Sequence, residues 1–161
     1  MSRAFVKDQD GTELDGDVPE RVVSPHRNLV TADGLARIDE ELRKSRDAIA
    51  VARAADDRAA AALHARDLRY WTQRRATAQT VEPPKAPKKV AFATRVTVKR
   101  HDGREQVFSI VGEDEADLEK GLIAYTVPMA RALLGLEVGE EAELPGGHIE
   151  VIDLKPIDAK G

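Results

Sequence analysis

Apolar residues between Thr31 and Ala54 recur every three or four positions, which is the spacing of one face of a helix. Polar and charged residues fill the intervening positions. Thr31 suits the N-cap, and Asp33 lies in the first turn, where the helix dipole favours an acid. The pattern predicts a helix with a narrow heptad seam, which requires a long partner helix. The seam consists of Leu35, Ile38, Leu42, Ser45, Ile49 and Ala52.

A second helix is predicted from about Asp57 to Thr80, and it is the natural partner. Leu68 and Trp71 anchor its seam, with Ala61, Arg75 and Ala78 in phase. Arg75 must therefore extend its charged end to solvent or pair with an acid. An antiparallel hairpin follows if the chain turns between the helices at residues 54–58. The alternative is one continuous helix of about 70 Å, from the rise per residue.

The segment EPPKAPKK, residues 82–89, contains three prolines and predicts a semi-rigid linker. After it the apolar period changes to two, which is typical of strands. Two β-rich runs, residues 92–100 and 104–111, flank the turn sequence His-Asp-Gly at 101–103. An acidic connection, 112–121, leads to a third predicted strand.

The third strand is predicted over residues 122–127. Pro128 then opens a short helix, and Gly135 suits the position just after its end. Two final strands, 141–144 and 148–154, flank the turn Pro-Gly-Gly. These elements predict an α+β protein, in which a small antiparallel sheet carries one short helix.

The predicted organisation has four parts. Residues 1–30 are expected to be extended or disordered, although SRAFVKD near the start could form a short strand or docking segment. Residues 31–81 form the helical hairpin, 82–89 the linker, and 90–157 the β domain.

Composition excludes several function classes. The formal net charge of −4 argues against nucleic-acid binding through a generally basic surface. The chain has no cysteine, which excludes thiol catalysis and cysteine-rich zinc sites, and its four histidines show no metal spacing. No apolar run approaches the length of a membrane span, and the first residues lack the apolar core of a signal peptide. We expect a cytoplasmic protein without autonomous enzyme activity, and with no membrane partner.

Several motifs resemble, in order and spacing, those of the bacterial GreA/GreB transcript-cleavage factors, the Gre family. They are NLVTADGLARIDEEL at 28–42, ATAQTV at 76–81, IVGEDEAD at 110–117 and VPMARALLGLEVGEEAELPGG at 127–147. The resemblance covers roughly residues 28–154. It implies an antiparallel coiled-coil hairpin followed by a small FKBP-like β domain, and RNA polymerase as the partner.

In the Gre family the hairpin enters the secondary channel of the polymerase. Carboxylates at its tip then help to hold a second metal ion that activates water for cleavage of backtracked RNA. The resemblance therefore implies no cofactor of this chain's own, only a Mg²⁺ ion shared at the polymerase active site. Carboxylate oxygens suit that ion, and two-metal hydrolysis requires accurate placement.

This sequence departs from the family at the tip and, less seriously, at Val127, where the family usually has Ser. The hairpin is shortened by several turns, as in the related Rnk proteins, and ARAADDRAAAALHARD at 52–67 replaces the acidic tip motif. A loss of two turns would leave the tip about 10 Å short. Asp56 and Asp57 are the remaining tip candidates for the catalytic role, although acids at such positions more often form a turn and an N-cap.

Two further sets of residues are candidates for contacts. The resemblance assigns polymerase binding to the short helix and the acidic turn, at Pro128, Met129, Arg131, Leu134 and Asp114. Arg66, Arg69 and Arg74, beside Tyr70 and Trp71, suggest contact with nascent RNA or with the channel. The alternative is a solvated helix face with Trp71 in the seam. The acidic run Glu113–Asp117 lacks calcium-loop spacing and is expected to be a solvated turn.

The resulting hypothesis is a monomeric Gre-like elongation factor that binds RNA polymerase and modulates paused or backtracked complexes, with stimulation of RNA cleavage left open. The first alternative is a secondary-channel binder of the Rnk type that does not promote cleavage. The second is a coiled-coil adaptor unrelated to transcription, whose helices would pair between chains.

Overall fold

The computed structural model describes residues 18–158, so predictions for the first 17 residues lie outside it. The chain divides into two compact units. The first contains residues 18–25 and Ile38–Thr77, and the second contains His26–Arg37 and the chain from Ala78 onward. The Pro-rich segment at 82–89 contains no helix or strand.

The first unit is built on a helical hairpin, which confirms the prediction and rules out one continuous helix. Helix α1 spans Ala32–Ala54 and helix α2 spans Arg58–Thr77. An ion pair of 2.7 Å between Asp39 Oδ1 and Arg75 Nε joins the start of α1 to the end of α2, so the helices run antiparallel.

Five of the six predicted seam residues of α1 are buried, and Leu35 is half-buried. Ile38 is fully buried, and Leu42, Ser45, Ile49 and Ala52 are each less than a tenth exposed. Trp71 is the large apolar side chain that α2 buries in the same unit. Many neighbouring positions of α2 are alanine, so few large side chains fill the seam and each one contributes heavily to its stability.

A short parallel ladder in the second unit pairs the residues that precede α1 in the sequence with those that follow α2. Strand β1, Leu29–Val30, pairs with β2, Gln79–Thr80. The segment up to residue 30, expected to be extended or disordered, ends in a strand. The second helix ends at Thr77 rather than at the predicted Thr80. The ladder pairs backbone groups just beyond α2, since Gln79 N–H donates to Asn28 O and Val81 N–H to Val30 O.

A five-stranded sheet forms the body of the second unit, in the order β5-β4-β3-β7-β6. Its strands span β3 Thr94–Arg100, β4 Glu105–Val111, β5 Leu122–Ala124, β6 Glu141–Leu144 and β7 Gly147–Pro156. The β3–β4 and β6–β7 hairpins match the two predicted turns. Central β3 is hydrogen-bonded to both β4 and β7, and its Val96 and Val98 are fully buried.

The prediction of a wholly antiparallel sheet is wrong at one edge. Strand β5 runs parallel to β4, with Ser109 opposite Leu122 and Val111 opposite Ala124. After β4 the chain crosses back through two 3₁₀ turns, Glu113–Glu115 and Leu118–Lys120, before β5 begins. A parallel pair requires such a crossover, which a short apolar run like β5 does not reveal.

The core of the β domain lies between one face of the sheet and the short helix α3, Pro128–Leu133. Ala130 and Leu133 of α3 are fully buried against strand residues. The strand residues are Val96, Val98, Ile110, Ile123, Ile149 and Val151. Leu133 therefore belongs to the core, and other residues of α3, such as Pro128 and Arg131, are exposed.

Candidate functional site

The hairpin tip is a tight turn formed by residues 55–57. Asp56 has φ of 54°, in the left-handed region that favours glycine. Its N–H donates to Arg53 O at 3.1 Å, and the N–H of Asp57 donates to Ala52 O at 2.8 Å. This is a Schellman closure, and it places Asp56 directly after the end of α1 with its side chain exposed.

Asp57 caps the second helix. Its Oδ1 accepts a hydrogen bond of 3.0 Å from the N–H of Ala60, the third residue of α2. The two acids therefore form a turn and an N-cap. That arrangement leaves the exposed carboxylate of Asp56 and the second oxygen of Asp57 as the oxygen donors these acids present at the tip.

No group of three or more His, Asp or Glu side chains that could hold a metal ion occurs among residues 18–158. A single pair of tip acids supplies too few ligands for a site of its own, since Mg²⁺ takes six ligands in near-octahedral geometry.

The cations of α2 have different environments. Arg66 pairs with its neighbour Asp67 at 3.1 Å, and Arg69 is exposed. Arg74 is only 2% exposed, so its guanidinium is buried inside the protein and the prediction that it contacts RNA needs correction. Arg75, predicted to lie in the seam, is exposed in its ion pair with Asp39. Trp71 is buried as predicted, and the next buried position of α2 is Arg74 rather than Arg75.

Residues 18–22 form an extended arm that contacts α2. The carboxylate of Glu20 bonds the guanidinium of Arg69 at 2.5 Å. The guanidinium of Arg21 lies 3.8 Å from the centre of the Tyr70 ring and 5.2 Å from that of Trp71. Sequence reasoning missed this contact, because nothing in a short acid–arginine pair indicates where it docks.

The predicted polymerase-binding residues in and just after α3 differ in exposure. Pro128 and Arg131 are exposed, while Met129 and Leu134 are half-buried against the core. Val127 is 37% exposed, and its side chain cannot supply a cap for α3. Asp114 is half-buried on a different element, the 3₁₀ turn after β4.

The acidic run is not the solvated turn that the sequence predicts. Glu115 is only 9% exposed, and its two carboxylate oxygens accept from the Thr31 hydroxyl at 2.7 and 2.6 Å. Thr31 in turn caps α1, since its Oγ1 accepts from Gly34 N–H at 3.0 Å. Burial raises the pKa of Glu115, although the Thr31 hydrogen bond opposes that effect.

Close backbone contacts hold the same segment, residues 26–37, to the β domain. Gly112 lies so near to Leu29 that a Cβ on Gly112 would be 2.5 Å from the Leu29 carbonyl oxygen. The Tyr125 hydroxyl donates to the carbonyl oxygen of Arg27, and the Tyr125 ring packs edge-on to Phe92 at 5.5 Å. Glu115 and Gly112 both belong to the motif IVGEDEAD, so this motif has a structural role.

Comparison with known proteins gives a consistent result. Residues 84–156 match the family model described as "Transcription elongation factor, GreA/GreB, C-term". The chain is similar to transcription elongation factor GreA of Paracoccus denitrificans, with 33% identity over 149 residues, which cover 78% of this chain and 96% of that protein. It is also similar to GreA of Magnetococcus marinus, with 44% identity over 71 residues, which cover 41% of this chain and 45% of that protein.

Among solved structures, the chain is similar to GreA factor homolog 1 (Gfh1) of Thermus thermophilus. The identity is 18% and the TM-score 0.39, and the match covers 80% of this chain and 99% of that one. Within residues 18–158, no helix has the length and apolar character needed to span a bilayer.

Proposed function

Because this chain belongs to the GreA/GreB family of transcription elongation factors, we propose that it binds RNA polymerase at the secondary channel and modulates paused or backtracked complexes. The observation that carries the proposal is the match along 96% of the length of a GreA protein, which spans both the hairpin and the β domain. In this proposal the chain is not itself an enzyme and acts on the chemistry of the polymerase.

The β domain supplies the docking surface in this proposal. The region of α3 combines an exposed cation, Arg131, with the exposed Pro128 and the half-buried apolar side chains of Met129 and Leu134. Such a surface, apolar at the centre with a charge beside it, is typical of a protein–protein contact. Asp114 adds an acid on a separate element, so its part in the contact remains a separate prediction.

The hairpin supplies the part that enters the channel. In the proposed cleavage role, Asp56 and Asp57 at the tip would offer carboxylate oxygens to a Mg²⁺ ion of the polymerase. The ion would activate water for hydrolysis of the RNA backbone. What this chain contributes is placement, because the Schellman closure fixes the backbone at Asp56 and the N-cap bond holds the carboxylate of Asp57.

A second candidate function is binding to the secondary channel without stimulation of RNA cleavage, as in the Rnk-type alternative described above. One observation favours it: Oδ1 of Asp57 already accepts the Ala60 N–H, so a ligand role would compete with the cap or use a single oxygen. Under this second function, the chain occupies the secondary channel and competes with other proteins or ligands that bind the channel.

A stalled elongation complex distinguishes the two functions. The test variant is Asp56→Asn with Asp57→Asn, since Asn tolerates the left-handed conformation and is a good N-cap. The variant removes both charges and keeps the turn. Asp47→Asn, which removes an exposed acid of α1, is the matched control. Shortening of the nascent RNA by the native chain and the control, but not by the double variant, supports the cleavage role.

If the native chain binds polymerase and leaves the RNA at full length, the function is binding alone. If it fails to co-purify with RNA polymerase at near-physiological salt, the proposed function is wrong. The coiled-coil adaptor then becomes the leading candidate, and a dimer in solution would support it.

A further inference from the structure

The arm formed by residues 18–22 makes polar and stacking contacts with consecutive residues of α2. Glu20 binds Arg69, and Arg21 stacks on Tyr70 at 3.8 Å while its guanidinium is 3.5 Å from the carboxylate of Asp67. The hydrogen bond from Arg69 lowers the pKa of Glu20 and keeps the carboxylate charged. The arm precedes residue 28, where the resemblance to the Gre family begins, so the family motifs do not account for it.

The contacts of the arm combine one anion with one flat group. The Glu20 carboxylate lies on an arginine, and the planar Arg21 guanidinium lies over an aromatic ring. One nucleotide of a single strand has the same two features, because its phosphate pairs with arginine and its base stacks on an aromatic face. The arm thus occupies the positions that a phosphate and a base would take on this face of α2.

A groove beside the arm extends the cationic surface. It has a volume of about 460 Å³ and a floor of small side chains, Ala61, Ala62 and Ala65. Arg53, Arg58 and Arg69 line it, and Val18 and Glu20 border it. Three arginines around an alanine floor leave room for a chain of phosphates, and Glu20 is the acid that lines this groove.

We propose that the outer face of α2, with Arg69, Tyr70 and the adjoining arginine groove, binds single-stranded RNA, and that the Glu20–Arg21 arm occupies this site in competition with the RNA. This inference builds on the proposed function, since a hairpin inside the polymerase channel would meet nascent RNA. It adds an intramolecular competitor that keeps the face covered until a polyanion displaces it. An acidic protein surface would use the arginines but not the ring, so the aromatic contact favours RNA.

The competition weakens the apparent affinity in a defined way. If the site is open for a fraction of the time, the apparent dissociation constant rises by the inverse of that fraction. An arm docked for about nine-tenths of the time would therefore weaken RNA binding about tenfold. Releasing the arm should therefore lower the apparent dissociation constant for RNA about tenfold.

The test uses the full chain with Glu20→Gln and Arg21→Gln together. This double variant removes one acid and one base, so the net charge is unchanged and any gain in affinity cannot come from added positive charge. The matched control is Glu40→Gln with Arg43→Gln, which removes a similarly exposed pair from α1. Binding of a fluorescein-labelled oligouridylate is measured at several salt concentrations, because phosphate contacts weaken as salt rises.

Trp71 reports the arm directly, since it is the one tryptophan of the chain and lies under Arg21. In the arm variant we expect acrylamide to quench its fluorescence more strongly, and oligouridylate to bind several-fold more tightly. The control should match the native chain in both measurements. Adding Arg69→Gln to the arm variant should remove the gain in affinity while the tryptophan stays accessible.

Three results would overturn the inference. Unchanged quenching in the arm variant would mean that the arm does not cover α2 in solution. Increased quenching without tighter RNA binding would mean that the covered face is not an RNA site. Tighter binding of the arm variant to polymerase lacking RNA, with no gain for oligouridylate, would assign the face to a protein surface. The first two results do not depend on whether the native chain binds polymerase, so failure of the inference can be distinguished from failure of the proposed function.

Discussion

Replacing Thr31 with Val should destabilise the second unit far more than the loss of one surface hydroxyl would suggest. The hydroxyl accepts from Gly34 N–H as the cap of α1 and donates to the buried carboxylate of Glu115. Loss of a cap costs about 1 kcal/mol. Loss of a hydrogen bond to a charged buried group costs about 1.5–3 kcal/mol. The expected loss is therefore roughly 2.5–4 kcal/mol of the free energy of unfolding at neutral pH.

The stability lost in Thr31→Val should depend on pH, because the Thr31 hydroxyl donates to the titratable carboxylate of Glu115. Burial raises the pKa of Glu115 in the folded state, so its contribution to stability is complete below the unfolded value near 4.5 and is lost as pH rises through the folded value. Removing the Thr31 hydroxyl raises that folded pKa further, because a donor to the charged form disappears. The difference in stability between the variant and the native chain should thus be largest at neutral pH and shrink on acidification.

Urea unfolding followed by circular dichroism measures both effects, and Thr31→Ser is the control. Serine retains the hydroxyl and should remain within about 1 kcal/mol of the native chain, since it lacks only a methyl group. The reasoning is refuted if Thr31→Val costs less than the cap alone, or if the serine variant is equally destabilised. A penalty that grows on acidification would refute the role of Glu115 in particular.

Three further substitutions have expected outcomes in thermal or urea unfolding. Gly112→Ala should lower the free energy of unfolding by about 1–3 kcal/mol, because the new Cβ would be 2.5 Å from the Leu29 carbonyl oxygen; an unchanged midpoint would show that this contact is loose. Val127→Ser should raise the free energy of unfolding by about 1 kcal/mol, because a serine hydroxyl can cap α3 where valine makes no side-chain cap bond. An unchanged free energy of unfolding would mean that the extended backbone at residue 127 does not place the hydroxyl for capping. Asp56→Gly should also raise the free energy of unfolding by about 1 kcal/mol, because glycine adopts φ of 54° without strain. A lower free energy of unfolding would show that the Asp56 side chain supports the turn.

The elements that the sequence predicts well are those with a regular apolar period. The seam through Ile38, Leu42 and Ile49 predicts α1 and its need for a partner, and the alternation in β3 and β4 predicts their hairpin. In α2 the period is blurred by alanines, which fit either a buried or an exposed position, so Arg74 rather than Arg75 proves to be the buried arginine.

The features that the sequence does not reveal depend on contacts between distant residues. Glu115 looks like one more acid in a solvated run, and only its distance from Thr31, 84 positions earlier, shows that it is buried. The docking of Glu20 on Arg69 is of the same kind, because local sequence carries no information about which helix face an arm will meet. The candidate tip acids were found from the sequence, whereas their parts in the turn and the cap required the backbone geometry.

Site-specific photocrosslinking tests the central claim most directly. A photoreactive residue is placed at Ala55, which is exposed at the hairpin tip, and a second one, as control, at Leu118, which is 80% exposed on the β domain. If the hairpin enters the polymerase, the label at Ala55 should attach to polymerase residues that line the secondary channel near the active centre, and the label at Leu118 should not. A tip label that attaches only to the outer surface of the polymerase, or to no polymerase residue in a complex that forms, would contradict the account.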